Sequence, residues 1–172
     1  MKILPILLLA IVSLATMNVY GAPGTAEKNL QEGVAFLKMN KEKPGVVTLP
    51  SGLQYKIVKE GKGNPPGPSD FVTVNYKGSL IDGTVFDQSN PKAPTSFAVN
   101  AVIPGWTEAL QKMKPGSHWV LYIPPNLAYG ARGAGPKIGP NASLIFDVEL
   151  ISFIPSAADT PAGTLDEWED MD

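Results

Sequence analysis

Side chains that act as nucleophiles or metal ligands are scarce in this 172-residue chain, which has no cysteine and one histidine, His118. Thiolate chemistry, cysteine metal sites and multi-histidine metal centres are therefore excluded, and a Ser–His–Asp triad would have to use that one imidazole. His118 directly precedes Trp119 in a strand-like segment, where a structural role on the surface or partly buried is expected. The sequence predicts no metal site and no cofactor.

Phosphate and nucleic-acid binding are not predicted either. Residues 130–139 contain a Gly-x-Gly, but the segment neither follows a strand at the required spacing nor opens a helix, and no Gly-Lys-Ser/Thr is present. The basic residues form no dense cluster of the kind that binds nucleic acid.

A specific pattern of aromatic residues does run in order through residues 50–154. Its segments are VNYKGSLIDGTVFDQS (74–89), VIPGWTEAL (102–110), MKPG (113–116), IPP (123–125), AYG (128–130) and IGPNASLIFDVEL (138–150). Together they resemble the FKBP-type peptidyl-prolyl cis-trans isomerases. Residues 26–38 resemble the helical arm of the bacterial Mip-like and periplasmic members of that family.

The resemblance implies an enzyme that accelerates rotation about X-Pro bonds in unfolded or extended polypeptides. That rotation is slow because it breaks amide resonance, with a barrier of roughly 18–20 kcal/mol. The twisted amide is less polar than the planar one, so an apolar pocket that excludes water favours it. Such chemistry needs no nucleophile, metal or redox cofactor.

The resemblance also implies roles for individual residues. Trp106 would form the pocket floor under the proline ring, while the Tyr129 hydroxyl and the Ile103 backbone N–H would bind a substrate carbonyl. Asp87, in contact with Tyr76, would face the twisted amide. The implied catalytic residues are Asp87, Tyr129, Trp106, Phe146 and Tyr76. The implied substrate-binding residues are Tyr76, Phe86, Asp87, Phe97, Val102, Ile103, Trp106, Tyr129, Ile138 and Phe146.

The implied partners are proline-containing polypeptides and the macrolides tacrolimus and rapamycin. Residues 130–137 read GARGAGPK, where eukaryotic members often have a histidine and an additional isoleucine. We therefore expect a different pocket rim, from Arg132 to Lys137, and a correspondingly altered macrolide affinity.

The predicted helices and strands that must position these residues indicate an α+β domain. Residues 25–39 have helical periodicity, with Thr25 as N-cap and an apolar stripe of Leu30, Val34 and Leu37. Strand patterns cover residues 46–49, 53–58, 71–80, 119–123 and 143–154, and a short strand holds Phe97 and Val99. A second helix is predicted over residues 106–113. We expect a curved antiparallel sheet, or half barrel, of five or six strands wrapped around one short helix and preceded by a short N-terminal helix.

Four segments follow from the composition. Residues 1–21 have the positive start, short apolar stretch and small residues of a secretory signal peptide, with no stable membrane anchor. The resemblance assigns residues 22–45 to the helical arm and residues 46–154 to the isomerase domain. Residues 155–172 carry six acids and no base, which predicts a disordered tail. The protein is expected to be exported, to a bacterial periplasm or the extracellular medium.

Several alternatives remain open at this point. The same pocket, or the apolar stripe of the arm, would also suit a non-catalytic proline-peptide binding module or a holdase chaperone. The arm is short, so a monomer and a weak dimer through the N-terminal helix are both compatible with the sequence. Asn141-Ala-Ser143 is a formal acceptor sequence for N-glycosylation.

Overall fold

The computed structural model describes residues 25–156, and the predicted signal peptide and almost all of the predicted tail lie outside them. Within that range the chain forms two α-helices and seven strands. The helices are α1 (Ala26–Asn40) and α2 (Pro104–Leu110). The strands are β1 (Val46–Thr48), β2 (Gln54–Lys59), β3 (Phe71–Leu80), β4 (Val85–Gln88), β5 (Thr95–Ala98), β6 (His118–Ile123) and β7 (Leu144–Ile154).

All seven strands belong to one antiparallel sheet. Its order is β1-β2-β6-β7-β3-β4, and β5 also pairs with β3. The long strand β3 is bordered on one side by β7 and on the other by the two short strands, β5 at its start and β4 at its end. The predicted α+β class is confirmed. The sheet has seven strands because the four-residue β4 was not predicted, whereas β5 corresponds to the predicted short strand with Phe97.

The core lies between one face of the sheet and α2. Residues at alternate positions of β7 are buried, as predicted, and so are Val72 and Val74 of β3. These side chains pack with Ala109 and Leu110 of α2 and with Met113 just beyond it. The period-2 burial of the strands therefore directs one apolar face of the sheet toward the helix.

The second helix begins and ends earlier than predicted. It runs from Pro104 to Leu110, and proline is well suited to its first turn, where the missing N–H has no intrahelical partner. Gln111 is the C-cap residue. Val99, predicted in a strand, lies instead in a 3-10 turn, Val99–Ala101, that leads from β5 to α2.

The N-terminal helix packs on the domain through a face other than the predicted apolar stripe. Thr25 caps the helix as predicted, its Oγ1 accepting from Lys28 N–H. Leu37 is half-buried, but Leu30 and Val34 are 43% and 59% exposed. The predicted apolar stripe therefore does not mark the face of α1 that contacts the domain.

Small and polar residues make much of that contact, beside Phe36, whose ring centroid lies 6.0 Å from that of Tyr122. Gly33 is buried against Ser143, and a Cβ at Gly33 would collide with the Ser143 hydroxyl. Asn40, fully buried, donates to Gln54 Oε1 over 3.0 Å, and Gln54 in turn donates to the Leu37 carbonyl over 2.9 Å. Hydrogen bonds and a close backbone approach thus determine which face of α1 contacts the domain. Hydrophobic periodicity had predicted a different face.

A second pair of amide contacts holds the start of α1. The Asn29 side chain donates to the Pro140 carbonyl over 2.7 Å, and the Asn141 side chain donates to the Ala26 carbonyl over 3.3 Å. The helix is therefore tied at both ends to the loop before β7 and to β2. Neither helix within residues 25–156 is long and apolar enough to cross a membrane.

Candidate functional site

A cavity of about 690 Å³ opens between the sheet, α2 and the loop that precedes β7. Every one of the ten predicted binding residues lines it. The remaining lining residues are Ala101, which sequence reasoning did not assign to the pocket, and Ala134, Pro136 and Lys137, which belong to the predicted rim from Arg132 to Lys137. Pro136 and Lys137 belong to the segment that departs from the eukaryotic pattern, and that departure was the only indication of their position.

Trp106 forms the floor. It lies in the first turn of α2 and is 4% exposed. Its ring meets Tyr76, Phe97 and Phe146 edge to face, with centroids 5.4, 5.9 and 5.2 Å away and interplanar angles of 84–85°. Edge-to-face pairs of this kind contribute about 0.5–1.5 kcal/mol each beyond area burial, so the floor is held from three sides.

Glycine at position 78 lets the aromatic wall close. A Cβ there would lie 2.6 Å from the Phe86 ring and 2.7 Å from the Phe146 ring. These two rings meet edge to face at 5.4 Å over the bare backbone of β3. The glycine therefore allows β3 to carry Tyr76 into the pocket while two phenylalanines pack across the strand two residues later.

One carboxylate provides the polar edge of the pocket. Tyr76 Oη donates to Asp87 Oδ2 over 2.7 Å, and Gln88 N–H donates to Asp87 Oδ1 over 2.9 Å. Tyr76 is also held by Ser89, whose Oγ accepts from Tyr76 N–H over 2.9 Å. The predicted contact between Asp87 and Tyr76 is thus present, and it orients the carboxylate.

The environment of Tyr76 keeps its phenol protonated. Burial in the pocket, followed by the hydrogen bond to Asp87 and the negative charge of that carboxylate, raises the pKa of Tyr76 to about 12. The Tyr76 hydroxyl therefore acts as a hydrogen-bond donor throughout the neutral range.

Two donors remain unoccupied at the mouth. Tyr129 stands between the 3-10 turns Pro125–Leu127 and Gly130–Arg132 and is 40% exposed. Within residues 25–156 its hydroxyl and the Ile103 backbone N–H have no hydrogen-bond partner, while the Ile103 carbonyl accepts from Trp106 N–H and Thr107 N–H at the start of α2. Both donors are thus free to bind a ligand carbonyl.

A short loop closed by two backbone hydrogen bonds forms the opposite wall of the pocket. Ala134 and Ile138 exchange backbone hydrogen bonds of 2.8 and 3.2 Å, and Ile138 is 7% exposed. From this loop Lys137 Nζ reaches across the mouth to the Phe86 carbonyl, 3.2 Å away. Among the lining residues, only Asp87 and Lys137 carry a charge.

His118 lies outside this cavity. Its Nε2 is 2.6 Å from Asp147 Oδ1, which fits the predicted structural role. In the described part of the chain no group of three or more histidine and acidic side chains is arranged to hold a metal ion. The arrangement can therefore bind an apolar ring on Trp106, offer donors to a carbonyl, and present one oriented carboxylate beside it.

Comparison with known proteins gives a consistent result. Residues 61–151 match the family model described as FKBP-type peptidyl-prolyl cis-trans isomerase. Residues 18–57 match the model described as the domain amino terminal to FKBP-type peptidyl-prolyl isomerase.

Among curated proteins, outer membrane protein MIP of Legionella longbeachae is 59% identical over 128 residues, covering 74% of this chain and 55% of that protein. Peptidyl-prolyl cis-trans isomerase Mip of Coxiella burnetii is 55% identical over 125 residues, covering 72% of this chain and 54% of that protein. The chain thus spans about half the length of these curated relatives.

Among solved structures, a peptidyl-prolyl cis-trans isomerase from Pseudomonas syringae pv. tomato superimposes with a TM-score of 0.72 at 41% identity. That match covers 77% of this chain and 98% of the other. FkpA from Escherichia coli superimposes with a TM-score of 0.73 at 46% identity, covering 76% of this chain and 61% of the other.

Proposed function

The chain belongs to the family of FKBP-type peptidyl-prolyl cis-trans isomerases, and on that premise we propose that it accelerates rotation about X-Pro bonds in unfolded or extended polypeptides. The observation that carries the proposal is the aromatic pocket floored by Trp106 and edged by the Tyr76–Asp87 hydrogen bond. Ten residues from five separate sequence segments converge on it.

Desolvation is the main source of the proposed acceleration. A proline ring seated on Trp106, between Phe97 and Phe146, would leave its amide in an apolar, water-poor site. The planar amide loses more solvation there than the twisted one, because the planar form is the more polar, so the barrier falls. Each tenfold gain in rate requires about 1.4 kcal/mol of this difference, and no covalent bond forms or breaks.

Hydrogen bonds would position the substrate. The Ile103 backbone N–H and the Tyr129 hydroxyl both lack a partner in the described chain, and each would donate to a carbonyl flanking the proline. Asp87 would stand beside the rotating amide. Tyr76 and the Gln88 amide each bind one of its oxygens. The carboxylate would therefore hold a fixed position, from which its negative charge would interact with the charge distribution of the twisted bond.

The clients would be proline-containing segments of incompletely folded proteins. Tacrolimus and rapamycin are further proposed ligands, because the floor and walls match the family pattern at every position named. The rim formed by residues 132–137 would set their affinity, with Lys137 crossing the mouth.

Export is proposed from the first 21 residues, and relatives that include an outer membrane protein support it. The protein would act in a bacterial periplasm or outside the cell. Fractionation of cells that express the full chain, with mass determination of the exported form, tests this: removal of about 21 residues is expected, and an unprocessed cytoplasmic product would contradict it.

A holdase chaperone is the second candidate function. The exposed pair Leu30 and Val34 on α1 favours it, since this apolar surface is not used in contact with the domain. The same surface would serve a weak dimer through the N-terminal helix, whereas a monomer would leave it open to clients.

A proline-tetrapeptide isomerisation assay on the purified protein, with and without tacrolimus, separates the two functions. We expect acceleration that rises in proportion to protein concentration and falls when tacrolimus is added. Binding of unfolded clients with an unchanged cis–trans rate would favour the holdase and reject the enzyme.

A further inference from the structure

At its C-terminal end, after β7, the described part of the chain leaves the sheet beside the aromatic pocket. In one row across the sheet, Ile154 on β7 pairs with Phe71 on β3, and Phe71 pairs with Ala98 on β5. Neighbouring strands lie about 4.8 Å apart, so Ile154 and Ala98 are about 10 Å apart. Ala98 directly follows Phe97, which lines the pocket. The segment that continues beyond β7 therefore begins near the pocket wall.

Hydrogen bonds fix this starting point. Ser156 N–H donates to Asp70 Oδ1 over 2.9 Å, and the Asp70 carbonyl accepts from Val99 N–H over 2.9 Å. Val99 opens the 3-10 turn that leads directly to the lining residues Ala101 and Val102. Residues 157–172 thus start from an anchored position rather than from a free strand end.

Those residues contain an X-Pro bond of their own. Pro161 lies five residues beyond Ser156, and five extended residues span up to about 17 Å. That reach starts at Ser156, which Asp70 links by two hydrogen bonds to Val99, two residues before the lining residue Ala101. A ligand of the class that the pocket is proposed to bind is therefore tethered within reach of it.

Charge favours the same contact. The segment carries six acids, whereas the described domain carries thirteen lysine and arginine residues against ten acids. Arg132 and Lys137 are both exposed, Lys137 lines the pocket, and neither forms an ion pair with any residue in the range 25–156. Asp87, the acid inside the pocket, already accepts hydrogen bonds at both oxygens, which moderates its repulsion of an acidic ligand.

Tethering makes even a weak ligand effective. A ligand tethered by a short connection has an effective concentration on the order of millimolar, so a segment with millimolar affinity would occupy the pocket for about half of the time. We propose that the Thr160–Pro161 segment binds in the chain's own pocket and competes with clients, with the acids beyond it facing Arg132 and Lys137. This inference rests on the proposed function, since it assumes that the pocket binds X-Pro segments.

A single nitroxide label tests the contact on the full chain. Because the protein has no cysteine, Gly163→Cys introduces one attachment point, and amide spectra of the 15N-labelled protein report which residues lie near the label. We expect line broadening at residues 134–138 and at Ile103, relief of that broadening by excess proline tetrapeptide, and partial relief in 1 M salt. Adding Pro161→Ala should remove at least half of the broadening, whereas the matched change Thr164→Ala should leave it.

Absence of broadening at the pocket, or broadening that the tetrapeptide does not relieve, would overturn the proposal. So would broadening that appears only when labelled 14N protein is mixed with unlabelled 15N protein, because the occupant would then be a second copy. Kinetics supply an independent measurement: Pro161→Ala alone should lower KM for the tetrapeptide about twofold at unchanged kcat.

The two proposals fail in different ways. A chain that isomerises the tetrapeptide but shows no pocket broadening retains the proposed function and loses the tethered competitor. A chain that shows broadening relieved by the tetrapeptide but has no isomerase activity supports the tethered contact and rejects catalysis.

Discussion

The Tyr76 hydroxyl lies 2.7 Å from Asp87 Oδ2 and donates a hydrogen bond to it. The two residues come from adjacent antiparallel strands, where Asp87 pairs with Gly78, two residues beyond Tyr76. Because Gly78 has no side chain, the Phe86 and Phe146 rings pack there and leave Tyr76 and Asp87 facing the cavity. The strand register thus determines where the only acid of the pocket stands.

Removing the carboxylate is expected to weaken catalysis without unfolding the protein. We predict that Asp87→Ala lowers kcat/KM about tenfold, equivalent to about 1.4 kcal/mol of transition-state stabilisation. Its side chain is exposed at the pocket edge, so the melting temperature should change little. Asp147→Ala, which removes an acid outside the pocket, serves as the control; equal activity losses in the two variants would contradict a role specific to Asp87.

The Tyr129 hydroxyl is expected to matter for activity and not for stability. It has no hydrogen-bond partner in the described chain and is 40% exposed. We predict that Tyr129→Phe reduces kcat/KM about fivefold, since a neutral hydrogen bond contributes about 1 kcal/mol. Tyr122→Phe, a half-buried tyrosine outside the pocket, should leave kcat/KM unchanged. An unaltered rate for Tyr129→Phe would remove the hydroxyl from the mechanism.

Alkaline pH should destabilise the fold through Tyr76. Its pKa is raised to about 12 by burial and by Asp87, against an ordinary value of 10.0. The folded protein therefore holds this proton more tightly than the unfolded chain, so the associated stability is complete below pH 10 and is lost as the pH rises toward 12. We predict that Tyr76→Phe flattens the decline in unfolding free energy between pH 10 and pH 12, measured by urea titration. The same decline in both proteins would contradict this.

The docking of α1 should depend on Gly33. An alanine there would force Ser143 to move, because its Cβ would collide with the buried Ser143 hydroxyl. We predict that Gly33→Ala lowers the unfolding free energy by about 1–3 kcal/mol, and that adding Ser143→Gly restores part of the loss. Val34→Ala, at an exposed neighbouring position, should be nearly neutral. Stability unaffected by Gly33→Ala would mean that α1 does not need this close approach.

Much of the fold follows from the pattern of residues. The alternation in β3 and β7 predicted their limits closely, and Thr25 was correctly predicted to cap α1. The orientation of α1 did not follow, because Gly33, Asn40 and Gln54 fix it through close approach and buried amide hydrogen bonds, neither of which hydrophobic periodicity reports.

The candidate site was predictable to a similar extent. All ten predicted lining residues converge on one cavity, and nine of them lie in the segments that carry the family pattern, with Phe97 as the exception. Lys137 was predicted in the rim, but its position across the mouth was not, since that position depends on the backbone hydrogen bonds between Ala134 and Ile138 and on the contact with the Phe86 carbonyl. Such loop contacts have no periodic signature in sequence.

The contact between α1 and the loop before β7 also bears on the formal glycosylation sequence Asn141-Ala-Ser143. Asn141 has a φ of 55° and donates its side-chain amide to the Ala26 carbonyl, while Ser143 is 3% exposed. A sugar would replace one of the two hydrogens on the Asn141 side-chain nitrogen, beside the Ala26 carbonyl at the start of α1. Carbohydrate attached there would therefore compete for space with the first turn of α1, and the buried Ser143 would be poorly accessible to a transferase that meets the folded protein.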